Sequence, residues 1–280
     1  MSIAGVVDLY RGRPHNPVGA DGRMALADHL RELRARIIRS VSVLVVTFIV
    51  ALFFYDQLLQ LVIRPYHEAV EILGGKVDAE IVMSGVSAPL MLQLKLCGIA
   101  AIVVSSPYWL LQIWGFLVPG LTGREKHWTR VFAFIAGPLF IAGVALGYYV
   151  LPKGVQVLLN FTPEGVKNLQ DFGEFFTFMT RMLLVFGVAM EIPLFVVLLN
   201  LAGVLSGKML ARHRPWIVLG TFIFAAVATP STDPFSMLML AIPMMILFFI
   251  AEAVARIIDA RRGRGKDSTD QWADDEISPL

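Results

Sequence analysis

The chain is poor in charge and nearly devoid of cysteine. Asp, Glu, Lys and Arg make up 16% of its residues, where a soluble domain carries about a quarter. A single cysteine, Cys97, stands in an apolar run. That excludes an intrachain disulfide and leaves the thiol as a small buried hydrophobe. The formal net charge of +2 is too small to point to nucleic acid. Catalytic signatures are also missing. There is no G-x-S-x-G and no H-E-x-x-H, since His67-Glu68 is followed by Ala69, Val70 and Glu71. No Gly-rich phosphate loop and no Cys/His metal spacing occur, and the long apolar runs hold neither His nor Asp for an intramembrane protease. The expectation is therefore no enzyme, no cofactor and no metal. The first 36 residues are polar and Arg-rich without the apolar core of a cleavable signal peptide, so the first apolar helix is expected to insert and stay.

What is abundant is apolar residue. The chain is 56% hydrophobic with a mean hydropathy of +0.68. A helix crosses the hydrocarbon in about 20 residues, and apolar runs fall at about Ile37–Tyr55, Ala88–Leu111, Val131–Leu151, Phe175–Leu205, Trp216–Ala228 and Phe235–Ala251. This predicts an all-α polytopic membrane protein with six transmembrane helices, the last two short. Residues 1–23 are expected to be a mobile basic tail, 24–256 the membrane domain, and 257–280 a disordered tail. Between Met24 and Arg36, Leu26, Leu30, Leu33 and Ile37 recur at helical spacing while His29, Glu32 and Arg36 share another face. That pattern predicts a short amphipathic helix in the interface before the chain turns inward. Gly143 and Gly147 would let helices approach closely.

Lys and Arg set the orientation. Eighteen fall on the side of the two termini and four on the other, which places both termini in the cytoplasm. The stretch from Pro107 to Arg130 then leaves the bilayer on the cytoplasmic side. It holds Trp109 and Trp114, breaks at Pro119-Gly120 and runs into Arg124-Glu125-Lys126, as an interfacial loop does. Glu32 and Glu125 are the cytoplasmic carboxylates of interest, although Glu32 also stands at the spacing of an intrahelical pair with Arg36. Asp233 reads as a turn or helix N-cap residue.

Three charges lie inside the runs: Lys95, Arg181 and Glu191. An unpaired charge in hydrocarbon costs several kcal/mol, so such groups face protein or water. Glu191, the deepest, is either a polar site for a partner helix or for protons, or a structural hydrogen bond to a neighbouring span. Arg181 is about 15 Å from Glu191 along a straight helix, too far to pair with it. Lys95 reads as a snorkelling residue.

Four motifs occur in order. His29-Leu30-Arg31-Glu32-Leu33-Arg34 resembles the H-L-x-E-L-R signature of the twin-arginine translocase TatC family. Pro107 through Glu125, with a W-x-F-x-x-P-G-L core, resembles that family's first cytoplasmic loop. Phe186-Gly187 through Glu191-Ile192-Pro193 resembles its F-G-x-x-x-E-x-P motif, and Thr229-Pro230 followed by Asp233 its outer turn. The resemblance spans about Met24 to Glu252 and implies a cup-like six-helix fold in the bacterial cytoplasmic membrane. It implies a receptor that binds Arg-Arg signal peptides and moves folded proteins using the protonmotive force. Glu32 and Glu125 would bind the arginines, Phe116 would support that surface, and Glu191 would belong to a buried site for signal peptides or partner helices. The implied partners are TatA- and TatB-type single-span subunits, further copies of the chain and membrane lipid. The rival reading is a proton-coupled small-molecule transporter using Glu191; such folds often show two related halves, and no internal repeat is visible here.

Overall fold

The computed structural model describes residues 26–74, 79–117, 125–163, 165–201, 203–228 and 234–261. Nine helices and two short strands make up the described residues. The first is α1 (Leu26–Phe53), and a one-residue break at Phe54 leads into α2 (Tyr55–Ile72). Next come β1 (Ala79–Val82), α3 (Ala88–Val104) and α4 (Ser106–Leu117). Helix α5 (Glu125–Leu159), β2 (Asn168–Asp171) and α6 (Phe172–Leu201) follow, then α7 (Gly207–Arg212), α8 (Arg214–Ala228) and α9 (Pro234–Arg261). Four helices are long and apolar enough to cross a membrane: α1 from Leu30, α5 from Phe134, α6 and α9. The bent pair α3–α4 adds a fifth if the two helices cross as one span. Helix α8 has 15 residues, about 22 Å against a hydrocarbon core of about 30 Å, and falls below that length. The protein is thus an all-α polytopic membrane protein with four or five full spans and one shorter apolar helix.

Several local expectations change. The amphipathic segment and the first span are one continuous helix, because nothing between Leu26 and Phe53 breaks the ladder: no proline or glycine interrupts its 28 residues. The run expected as the second span is two helices, with a 56° bend between Val104 and Ser106. Proline disfavours helical backbone in the residue before it and is tolerated in a first turn, so Pro107 starts a new helix rather than ending the old one. Ser105 closes α3 by donating its hydroxyl to the Ala101 carbonyl at 2.6 Å. The last helix is short only in its apolar part: it has 28 residues and runs to Arg261, five residues into the stretch expected to be tail.

The core is built on α5 and α6. A Cβ at Gly143 would strike the Phe186 carbonyl, and one at Gly187 would strike the Phe140 ring. The expected role of Gly143 and Gly147 is therefore met: glycine lets the two helices touch, where lipid supplies no hydrophobic drive for association. Phe186, Phe140 and Leu151 are fully buried in this seam. Helix α2 lies across the end where the strands sit. Its proline, Pro65, is buried, and the Tyr148 hydroxyl of α5 donates to the Leu61 carbonyl at 2.9 Å. The connections that follow α2 and precede α6 are stitched by parallel pairing of β1 with β2, Ala79 opposite Asn168 through Val82 opposite Asp171. Across the membrane helices, large apolar side chains such as Val41, Val45 and Ile49 on α1 point outward, as lipid-facing positions do.

Candidate functional site on helices α1, α4 and α6

Helix α4 organises the site because its two faces serve different neighbours. Trp109, Gln112, Ile113 and Phe116 recur at i, i+3, i+4, i+7, which places them on one face. That face meets Arg36 and Ile37 of α1 around an apolar cleft of about 270 Å³. Leu110 and Trp114, also four apart, point the other way and are buried against Phe140 of α5 and Leu194 of α6. Phe116 and the Glu32 region are therefore brought together, and Trp114 reaches the interior from the same helix.

Glu32 is held by its own helix. Arg36 Nε donates to Glu32 Oε1 at 2.9 Å and Nη2 donates to the same oxygen at 2.5 Å. Arg36 also reaches across to the Gln112 carbonyl of α4 at 3.4 Å. A Cβ at position 115 would run into the Arg36 guanidinium, so Gly115 is what lets that side chain lie flat along α4. The intrahelical pair foreseen from spacing exists, and both partners are partly buried at 17% and 21% exposure. Among the described residues Glu32 Oε2 takes no hydrogen bond. Sequence reasoning named Arg36 only as an intrahelical partner of Glu32, and missed its bridge to α4.

Glu125 is the first residue of α5; its side chain, the connection 118–124 and Asp233 lie outside the described residues. Glu191 sits on α6 in the interior. Both of its carboxylate oxygens are buried with no hydrogen-bond partner among the described residues. The Trp114 indole faces it as a donor without closing a hydrogen bond. Of the two readings of Glu191, a bond to a neighbouring span is represented only by this Trp114 approach, and by hydrogen-bond geometry Glu191 is an unsatisfied polar group under the α4 side chains.

A second polar cluster escaped the sequence reading. Glu252 on α9 is 2% exposed and accepts a two-pronged pair from Arg214 of α8, Nε at 2.7 Å and Nη2 at 2.5 Å. Arg256 adds a third contact at 2.7 Å. One helical turn and three residues later, Asp259 accepts from Asn200 Nδ2 at 2.9 Å and from the Gly207 backbone N–H at 2.6 Å. Glu252, Arg256 and Asp259 share one face of a helix at i, i+4, i+7, a signal hidden because that stretch reads as the start of a charged tail.

Four or five helices long and apolar enough to cross a membrane, one shorter apolar helix and a buried carboxylate beneath a tryptophan-bearing helix define a polytopic membrane protein. The TatC family profile, described as Sec-independent protein translocase protein, matches residues 28–243. The chain is 39% identical over 246 residues to the Sec-independent protein translocase protein TatC of Xylanimonas cellulosilytica, covering 88% of each chain. It is 35% identical to that of Corynebacterium kroppenstedtii, covering 93% of this chain and 68% of the relative. Two crystal structures described as twin arginine translocase receptor TatC superimpose with TM-scores of 0.69 and 0.70 at 25% and 26% identity, each covering 81% of this chain and 97% and 99% of the other. The chain belongs to the TatC family of Sec-independent protein translocase proteins.

Proposed function

We propose that the protein is the receptor subunit of a twin-arginine translocase in a bacterial cytoplasmic membrane, with both termini in the cytoplasm. It binds Arg-Arg signal peptides through Glu32 and Glu125, with Phe116 supporting the surface. Together with TatA- and TatB-type single-span subunits and further copies of itself, it moves folded proteins at the expense of the protonmotive force. The observation that carries this reading is Glu32: one oxygen is fixed by Arg36, the other is open, and Arg36 itself lines the apolar cleft that Phe116 closes. A guanidinium is a planar fork that a fixed carboxylate accepts in two places, and a lysine ammonium cannot reproduce that geometry. The apolar cleft beside it suits the hydrophobic stretch of a peptide emerging from such a contact.

Glu191 then serves the assembly. An unsatisfied buried carboxylate is stabilised when a second helix brings a donor to it, so the site beneath Trp114 fits a polar group of a signal peptide or partner helix. The transporter reading is not favoured, because the relatives are named as translocase components. A photo-reactive amino acid at Gln112 or Phe116, in membranes that also contain the single-span subunits, tests the reading. Crosslinks to an Arg-Arg precursor and not to its Lys-Lys version are expected; equal labelling of both would refute it.

A further inference from the structure

A cleft of about 680 Å³ lies at the end where β1 and β2 pair, between α3, α5 and α6 with α2 beneath. Its α6 wall is a single stripe, Glu174, Thr177, Phe178 and Arg181, at i, i+3, i+4, i+7. Lys95 enters from α3. Among the described residues neither Lys95 nor Arg181 makes an ion pair or a hydrogen bond, although both stand on spans. Tyr66 of α2 is 2% exposed, lines the same cleft, and its hydroxyl is buried without a partner. Two unpaired cations lining one cavity inside a membrane region, with the partnerless Tyr66 hydroxyl buried behind its wall, call for an anionic occupant.

The order of charge along α6 narrows what that occupant is. Glu174 lies two turns, about 10 Å, closer to the helix start than Arg181. Asp171, the other carboxylate on the cleft, is already engaged: its Oδ1 accepts from the backbone N–H groups of Gly173 at 2.8 Å and Glu174 at 3.2 Å. Glu174 is therefore the outer negative charge left to meet a ligand. Helix α6 has 30 residues, about 45 Å, so it exceeds the hydrocarbon by about 15 Å. With that excess shared between its ends, the Arg181 backbone lies a few ångströms below the hydrocarbon edge. Side chains on a helix lean toward its N-terminus, so both cations reach outward to the level of lipid phosphates. From outside inward along α6 the cleft presents Glu174, then Thr177 and Phe178, then Arg181, with Val155 and Leu158 at the last turn of α5 as apolar walls beside them.

We propose that this cleft seats a phospholipid headgroup carrying a primary ammonium, its phosphate on Lys95 and Arg181 and its ammonium toward Glu174. A quaternary ammonium offers no N–H to Glu174, and a glycerol headgroup offers no positive charge, so the site discriminates among common phospholipids. The inference rests on the membrane placement of α3 and α6, not on signal-peptide binding, and fails or stands independently of that function.

The full-length protein, delipidated in detergent, is titrated with dioleoyl phosphatidylethanolamine, phosphatidylcholine or phosphatidylglycerol and followed by native mass spectrometry. Phosphatidylethanolamine is expected to bind about tenfold more tightly than either of the others, the size of one charge-assisted contact. Lys95→Gln with Arg181→Gln removes retention of all three. Glu174→Gln keeps retention and erases the preference for the ethanolamine lipid. Inorganic phosphate at millimolar concentration leaves the bound lipid in place. Equal binding of the three lipids, a preference for phosphatidylglycerol, displacement by phosphate, or unchanged behaviour in the variants would each overturn the proposal. The exposed Glu174→Gln variant decides the matter alone if the double variant does not fold.

Discussion

Removing Asp259 tests whether the end of α9 is structural. Its carboxylate is 8% exposed and is the acceptor for the Gly207 N–H that opens α7 and for Asn200 on α6. Asp259→Ala leaves the buried Gly207 N–H with no partner, at a cost of about 1–3 kcal/mol. Asn200 keeps its second bond, to the Leu205 carbonyl at 3.0 Å, so its loss is smaller, about 0.5–1 kcal/mol. Together the change is about 1.5–4 kcal/mol, or about 3–16 °C in Tm for a chain of this size. Thermal unfolding in detergent, followed by tryptophan fluorescence, reads it directly. Truncation after Arg256 should match the Asp259→Ala loss or exceed it, whereas truncation after Arg261 should shift Tm by less than about 2 °C. An Asp259→Ala protein that unfolds within 1–2 °C of the parent, by the same order-of-magnitude conversion, would refute the reasoning and return residues 257–261 to the tail.

Further outcomes follow from single contacts. Gly143→Ala forces a Cβ onto the Phe186 backbone and is expected to cost about 2–3 kcal/mol. Gly115→Ala meets only the mobile tip of Arg36 and costs under about 1 kcal/mol, yet it loosens Glu32 and lowers any Arg-Arg over Lys-Lys preference; unfolding and peptide titrations on the two variants separate these effects. Glu191→Leu removes an unsatisfied buried carboxylate, so the isolated protein should gain stability while co-purification of single-span subunits falls, and Glu191→Gln should preserve assembly; full assembly in the Leu variant would remove Glu191 from the site. Asp171 is held below the ordinary carboxylate range by the Ser84 side chain first and by the Glu174 and Gly173 N–H groups. A lowered folded pKa gives stability that is present above the unfolded value and is lost as pH falls through the folded one. Tm should therefore drop on the acid side of the carboxylate range, and Asp171→Asn should flatten that limb.

Much of the architecture was legible because lipid imposes a simple rule: apolar runs of sufficient length become helices. The orientation of faces was legible wherever a period could be read, as in Leu30, Leu33 and Ile37 on α1. Breaks were harder. Pro107 looks like a terminator, but the two-serine step before it let the chain end one helix and begin another within the same apolar run. The amphipathic start was read as a separate helix because charge changes at Ile37, although a change of polarity does not interrupt a backbone ladder. The polar clasp on α9 was not legible, since Glu252 and Asp259 depend on Arg214, Asn200 and Gly207, up to 59 residues away. Of the site, the Glu32–Arg36 pair was fixed by spacing alone. Its bridge to Gln112 and the proximity of Phe116 required the fold, as did the finding that Lys95 and Arg181, read separately as lone cations, open onto one cleft.

The central claim is that a fixed carboxylate on α1, with Glu125, distinguishes arginine from lysine pairs. Affinity of the purified protein for labelled Arg-Arg and Lys-Lys peptides, with Glu32→Ala and Glu125→Ala alongside, tests it most directly. Tighter binding of the Arg-Arg peptide, with the difference erased in both variants, is the predicted result. Equal affinity for the two peptides, or a preference that survives both substitutions, would contradict the account.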